Sequence, residues 1–349
     1  MTPSIPIQNL YYLLIYSWNR LAESEVVNIS GIDSTRQVDL FASVLAQGVR
    51  HLIRRGLEQG YQNYQETIPG IRGRIDMATT ARRALAAQGL AHCEFDELTT
   101  NTANNQIIRS TLYHLAKVSD LDGQLRKQLV GLYRELDGID CPPLKKSLFR
   151  RVQHHGNARF YRFLLNVCEL VAAGLLVDQE EGGYRFRDFL RDEKLMARVY
   201  EEFLFNFYRT ERPDLSITKE RISWTVEPGS SSDMAYLPGM ETDISVRSKT
   251  KTLVIDAKYY VRTLTSYYDT ERIHSSNLYQ LFAYLKNMEA RGGPDAHSEG
   301  MLLYPTIEQE LRLNYRIQGH NVRICTVNLA ENWKDIKEEL HDIVGCMTL

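Results

Sequence analysis

Asp243, Asp256 and Lys258 are the residues of this 349-residue sequence whose types and spacing best fit a reaction centre. They lie in residues 240–260, Met-Glu-Thr-Asp-Ile-Ser-Val-Arg-Ser-Lys-Thr-Lys-Thr-Leu-Val-Ile-Asp-Ala-Lys-Tyr-Tyr, a stretch that predicts two strands joined by a tight polar turn at 248–251. Ile244 and Val246 alternate with Asp243, Ser245 and Arg247, whereas Leu253-Val254-Ile255 is a continuous apolar run suited to a strand buried on both faces. Successive strand side chains point to opposite faces, so Asp256 and Lys258 share one face where the run ends, and Asp243 reaches the same spot across the pair. Two carboxylates hold a hard cation such as Mg²⁺ through oxygen, while a lysine orients or activates a water and offsets charge building on a phosphate. That is the chemistry of a Mg²⁺-dependent phosphodiesterase. An Asp-X-Lys triplet alone marks a solvated strand end in most chains. The buried-type run before this one and the aspartate across the hairpin set it apart.

Other groups carry weaker signals. Glu201 and Glu202 flank the apolar stripe of a helix expected over 192–209, and the pattern does not choose which of them, if either, assists the metal. Gln280 and Tyr284 are four apart and share one face of a helix beginning at 278, while Leu278, Leu281, Phe282 and Leu285 pack elsewhere. Arg72 and Arg74 sit in Pro69-Gly70-Ile71-Arg72-Gly73-Arg74, a turn whose arginines either touch phosphate or a partner's acids or form a charged loop rim, the commoner case. His154-His155 is a poor chelate, because adjacent helical residues do not face each other. Arg262, Tyr267, Tyr268 and Arg272 mark a basic, aromatic loop.

Composition narrows the function further. The net charge of −2 gives no global basic field with which to hold nucleic acid, so a DNA substrate implies a partner that supplies much of the grip. Five scattered cysteines (Cys93, Cys141, Cys168, Cys325, Cys346) argue against a disulfide framework, a zinc ribbon or an iron–sulfur cluster and are expected to be reduced core residues. The absence of a Gly-Lys-Ser/Thr loop means the chain is not expected to hydrolyse nucleotide itself. The start, Met-Thr-Pro-Ser-Ile-Pro-Ile, lacks the features of a signal peptide and no apolar run approaches a membrane span, so a cytoplasmic protein with no membrane partner is expected.

Helices at 7–21, 38–57, 121–136 and 158–177 and one capped by residues 101–105 are expected in the first half, with an extended segment at 61–68. Cys141-Pro142-Pro143 breaks helix and strand alike, which suggests a domain boundary there, with the 158–177 helix bridging the halves. Beyond the acid-acid-lysine hairpin, strands are expected at 300–305 and over 314–329, the latter turning at 318–321, and a closing helix at 333–344.

Thr242-Asp243 together with Asp256-Ala257-Lys258 resembles the PD-(D/E)XK nuclease core. Gln280-X-X-X-Tyr284, one loop later, resembles the extra motif of RecB-type members, in which that helix lies over the site and meets the DNA backbone. Over nearly its full length the chain resembles the McrC family, the nuclease subunits of McrBC modification-dependent (5-methylcytosine) restriction systems. The marks are residues 5–12 (Ile-Pro-Ile-Gln-Asn-Leu-Tyr-Tyr), Arg55-Gly56-Leu57, residues 68–75 (Ile-Pro-Gly-Ile-Arg-Gly-Arg-Ile), Glu241-Thr242-Asp243-Ile244, residues 256–260 and residues 277–281. The resemblance implies an α+β and α/β chain: a helix-rich N-terminal domain (1–155) that docks an McrB-like AAA+ GTPase hexamer and stimulates it, then a PD-(D/E)XK, restriction-endonuclease-like domain (156–349) with a central mixed sheet flanked by helices. It further implies a substrate of double-stranded DNA with modified cytosine, read by the partner and cut by this subunit. Carried onto this sequence, Asp243 and Asp256 are the metal-binding acids, the Ala257 carbonyl is a further ligand, Lys258 is the catalytic lysine, and Gln280 and Tyr284 contact DNA. The loop around Arg72 and Arg74 is the candidate GTPase contact. Two rival readings are a non-catalytic GTPase-activating subunit with a vestigial nuclease fold, against which the intact acids and lysine speak, and a RecB-like exonuclease.

Overall fold

The computed structural model describes residues 5–24, 26–29, 36–150, 152, 159–177, 184–226, 236–259, 265–267, 270–306 and 310–347. His154, His155, Tyr260, Arg262 and Tyr268 lie outside the described residues. The chain forms two compact units that interleave in sequence: one takes residues 1–25, 33–37 and 188–349, the other residues 26–32 and 38–187. The units therefore do not divide at 155/156. The Pro142-Pro143 loop and the helix Arg159–Gly174, expected at a boundary and as a bridge, both lie within the second unit, because a segment that breaks helix and strand can still sit inside one core.

In the second unit the helix Gln37–Arg55, all but its first residue, buries the stripe Leu40, Phe41, Val44, Leu45, Val49 and Leu52 and leaves Arg54 and Arg55 exposed. Thr102 caps the helix Ala103–Leu115 by accepting from the Asn105 amide, and Asp122 caps Gly123–Glu135. The segment Gly60–Pro69 pairs antiparallel with Leu90–Thr99, which also pairs with Arg74–Ile75. Ala91, Cys93 and Phe95 alternate into a small core completed by Tyr64, Ile68 and Ile75. The central strand of this sheet was not expected from sequence.

The first unit is built on a mixed sheet that has, among the described residues, six strands in the order Arg312–Ile317, His320–Asn328, Glu299–Thr306, Thr252–Ala257, Ile244–Arg247, Ser216–Thr218. Thr252–Ala257 runs parallel to Glu299–Thr306, which runs parallel to His320–Asn328; the other pairings are antiparallel. A parallel pair needs a crossover, supplied here by the helix Ser275–Glu289. Its Leu281, Tyr284, Leu285 and Met288 pack on Val254, Leu302, Tyr304, Val322 and Ile324. The approach is close enough that a Cβ on Gly300 would meet Leu285 Cδ1 at 2.8 Å. The helices Glu193–Glu211, Ile7–Ser17 and Trp333–Ile343 form a second apolar layer through Tyr16, Phe203, Phe207 and Trp333. Asn9 in the helix Ile7–Ser17 donates to the carbonyl of Leu329 at 2.8 Å. This is the central mixed sheet flanked by helices that the sequence implied. No helix among the described residues is long and apolar enough to cross a membrane.

Candidate active site

The hairpin register sets Ile244 opposite Ile255 and Val246 opposite Leu253, with the turn closed by Ser248, whose amide donates to the Lys251 carbonyl at 3.0 Å and whose hydroxyl accepts from the Lys251 amide at 3.1 Å. Asp243, just before its strand, then faces the end of the neighbouring one. Its Oδ2 accepts from the Ala257 amide at 2.8 Å. Lys258 Nζ lies 2.9 Å from Asp256 Oδ1 and 3.9 Å from Asp243 Oδ2. The Lys258 amide donates to the Leu303 carbonyl at 3.1 Å, which extends the parallel ladder one residue and fixes where the lysine leaves the sheet. The two acids and the lysine therefore converge as their spacing predicted.

Burial dominates the electrostatics. Asp256 has no exposed surface, and burial raises its pKa although Lys258 opposes the rise. Asp243 is pushed up to about 7, first by burial and then by the Asp256 carboxylate. Burial pulls Lys258 down, but the two carboxylates more than offset it and hold the ammonium charged. Asp256 Oδ2 is buried with no hydrogen-bond donor among the described residues. A buried carboxylate oxygen facing a second carboxylate, with no donor of its own, fits a hard divalent cation, for which Asp243 and Asp256 are the candidate ligands. Only two acids converge in this way: among the described residues no group of three or more His, Cys, Asp or Glu is arranged to hold an ion.

Glu201 and Glu202 are both engaged by a lysine. Glu201 Oε1 and Glu202 Oε1 lie 2.6 and 2.7 Å from the ammonium of Lys219. Of the two, Glu201 acts electrostatically on both Asp243 and Asp256. Gln280 and Tyr284 do share a face: Gln280 Nε2 donates to the Tyr284 hydroxyl at 2.6 Å, and that hydroxyl donates to the Glu241 carbonyl at 2.9 Å. Gln280 is exposed, whereas Tyr284 is buried against the sheet with its ring in the core. Arg72 and Arg74 lie in the other unit, paired to Glu97 and Glu94 of the adjacent strand, with Arg72 also over the Phe95 ring. Cys93, Cys168 and Cys325 are buried thiols and Cys141 is an exposed one, against the expectation that these are all core residues.

Sequence reasoning missed the frame behind Asp243. Ser245 and Arg247 alternate with Ile244 and Val246 along the strand, yet Ser245 is fully buried and Arg247 is pinned between carboxylates. Its guanidinium lies 2.6 Å from both Glu220 Oε1 and Asp295 Oδ1. Glu220 and Thr242 exchange two bonds, from the Thr242 amide to the Glu220 carbonyl at 2.9 Å and from the Glu220 amide to the Thr242 hydroxyl at 3.0 Å. A polar residue on an alternating strand reads as solvent-facing, and only a partner from a distant segment reverses that reading.

The McrBC 5-methylcytosine restriction system component family matches residues 8–305. The chain is 38% identical over 341 residues to the type IV methyl-directed restriction enzyme EcoKMcrBC of Escherichia coli strain K12, covering 98% of this chain and 97% of that protein. In structure it resembles a chain of the Thermococcus gammatolerans assembly of McrB AAA+ hexamers with bound McrC, with a TM-score of 0.61 and 18% identity over 97% of this chain and 76% of that one. With a family match over most of its length and a relative that aligns end to end, this chain belongs to the McrBC 5-methylcytosine restriction system component family.

Proposed function

We propose that this chain is the nuclease subunit of a GTP-dependent restriction complex, a type IV restriction endonuclease subunit that hydrolyses phosphodiesters in double-stranded DNA containing methylated cytosine. The observation that carries this reading is the convergence of Asp243, Asp256 and Lys258 at one sheet end, with Asp256 Oδ2 left without a donor. Mg²⁺ bound by Asp243 and Asp256, with the Ala257 carbonyl as a further ligand, would supply an activated water and charge stabilisation at the phosphate. Lys258 remains an ammonium beside both carboxylates, so its part is to donate hydrogen bonds to a water or a phosphate oxygen and to balance charge there, not to accept a proton. Tyr284, anchored on Glu241, steadies Gln280, and Gln280 presents its exposed amide to the DNA backbone.

The near-neutral charge of the chain supports a division of labour in which an McrB-like AAA+ GTPase hexamer finds and holds the DNA in the cytoplasm while this subunit cuts it and stimulates GTP hydrolysis. The relative whose printed name describes a methyl-directed restriction enzyme supports the same substrate class. The turn bearing Arg72 and Arg74 is the surface proposed to contact the GTPase.

The test is cleavage of methylated DNA with GTP and the GTPase partner by Asp256→Ala and Lys258→Ala variants. Both should lose cleavage while stimulating GTP hydrolysis normally. Variants that still cut would show that the assigned residues are not the reaction centre.

A further inference from the structure

Two short ladders meet behind Asp243, and they are out of step. At the edge of the six-stranded sheet Ser216–Thr218 runs antiparallel to Ile244–Arg247, with Thr218 opposite Ser245. A little further on, Arg221–Ile222 runs antiparallel to Met240–Glu241, with Arg221 opposite Glu241. Between these pairs one strand holds two residues, Lys219 and Glu220, while the other holds three, Thr242, Asp243 and Ile244. One extra residue on one strand of an antiparallel pair is a β-bulge, which bends the strand and re-aims a side chain. Asp243 is the middle residue of the three.

The bonds around the bulge show what holds it open. Residues that face each other in a hydrogen-bonded antiparallel pair exchange two main-chain bonds. Thr242 and Glu220 make the first of these, from the Thr242 amide to the Glu220 carbonyl at 2.9 Å. The return bond from the Glu220 amide goes to the Thr242 hydroxyl at 3.0 Å, where a regular ladder would use the Thr242 carbonyl. The same hydroxyl lies 2.9 Å from that of Ser245. Residues three apart on a regular strand point to opposite faces and lie about 10 Å apart, so this contact exists only because the chain bends between them. Thr242 and Ser245 are both buried, away from bulk water that could replace either hydroxyl.

We infer that Thr242 is a positioning residue for Asp243: its hydroxyl stands in for its carbonyl as the acceptor for the Glu220 amide, which releases the chain from the ladder one residue before Asp243 and lets the bulge turn that carboxylate onto the Ala257 amide, 2.8 Å away. The placement of Asp243 stands on these bonds. Its consequence for cleavage rests on the reading of Asp243 as part of the reaction centre.

Residue-resolved amide hydrogen exchange of the full chain reads the placement of Asp243 through the Ala257 amide that it accepts from. Thr242→Val keeps the volume and removes the hydroxyl, and should speed Ala257 exchange about tenfold while the Val254 and Ile255 amides keep their rates. Asp243→Ala should do the same to Ala257. Cleavage of methylated DNA by Thr242→Val, with the partner and GTP, should fall about 10- to 100-fold. Thr242→Ser, which keeps the hydroxyl, should behave like the wild type in both measurements. If Thr242→Val does not fold, Thr242→Ala carries the test. Unchanged Ala257 exchange, an equal acceleration at Val254 and Ile255, or a serine variant as impaired as the valine one overturns the inference. If Thr242→Val speeds Ala257 exchange yet cuts normally, the placement stands and the assignment of Asp243 to the reaction centre falls.

Discussion

The two sheets use the same ion-pair chemistry under opposite conditions. On the three-stranded sheet, Arg74 pairs with Glu94 and Arg72 with Glu97, but the Arg74 side chain is 81% exposed and water competes with both partners. On the six-stranded sheet, Arg247 sits between Glu220 and Asp295, whose side chains are 18% and 10% exposed, and Lys258 sits between two aspartates, one of which has no exposed surface. An exposed pair holds little structure and leaves its charges available to another molecule. A buried group of charges is costly to disturb, and its residual imbalance is what a cation or a phosphate can satisfy.

The largest effect is expected at the buried pair Asp243 and Asp256. Asp243→Asn should reduce cleavage of methylated DNA by at least about 100-fold, measured as an initial rate with the partner and GTP. The next effect is structural. Arg247→Ala leaves Glu220 and Asp295 only the longer pairings to Arg291, at 3.6 and 3.8 Å, and should cost about 1–3 kcal/mol in urea unfolding. The pairing with Arg247 lowers the pKa of Glu220, and the same guanidinium overcomes burial to lower that of Asp295. The stability these acids contribute in the wild type is therefore present at neutral pH and lost as pH falls through their depressed folded values, so the deficit of Arg247→Ala should shrink in acid.

Asp243 has the opposite sign. Its folded pKa of about 7 stands above the ordinary 3.8, so the folded protein binds a proton more tightly than the unfolded chain and loses stability as pH rises between those values. Asp243→Asn removes that loss. In the presence of a chelator the inactive variant should be more stable than wild type by about 1–3 kcal/mol at pH 8, and the gain should vanish near pH 4, as read by urea unfolding at the two pH values. The smallest stability effect is expected on the three-stranded sheet. Arg72→Ala with Arg74→Ala should change unfolding free energy by no more than about 0.5 kcal/mol yet abolish GTPase stimulation; unchanged stimulation would remove this turn as the partner contact.

How much was legible in the sequence follows the same division. The hairpin was readable because Leu253-Val254-Ile255 and the turn at 248–251 are local signals, and its register then brings Asp243 to Asp256 with no further information. The strand Leu90–Thr99 escaped notice because Ala91 and Cys93 alternate inward without the β-branched or aromatic character that marks a strand. Glu201 and Glu202 could not be told apart because both pair with the same residue, Lys219, which lies in a later loop with no motif around it. The division into units was hidden for a related reason: Pro142-Pro143 is a strong local break, whereas the contact that assigns the helix Ile7–Ser17 spans 320 residues, from Asn9 to Leu329.

That contact also has a bearing on biosynthesis. The helix Ile7–Ser17 leaves the ribosome long before the segments it packs on, since Tyr12 stacks on Trp333 at 4.5 Å and Tyr16 bonds Glu211 at 2.6 Å. Its apolar face must wait for the surfaces that cover it, while residues 38–187 can complete their own core in the interval. The unit that carries Asp243, Asp256 and Lys258 therefore closes after the chain of the other unit has been made. A ribosome that stalls before Trp333 holds a chain without the layer that supports this centre, so a half-made chain does not present Asp243, Asp256 and Lys258 on a finished fold.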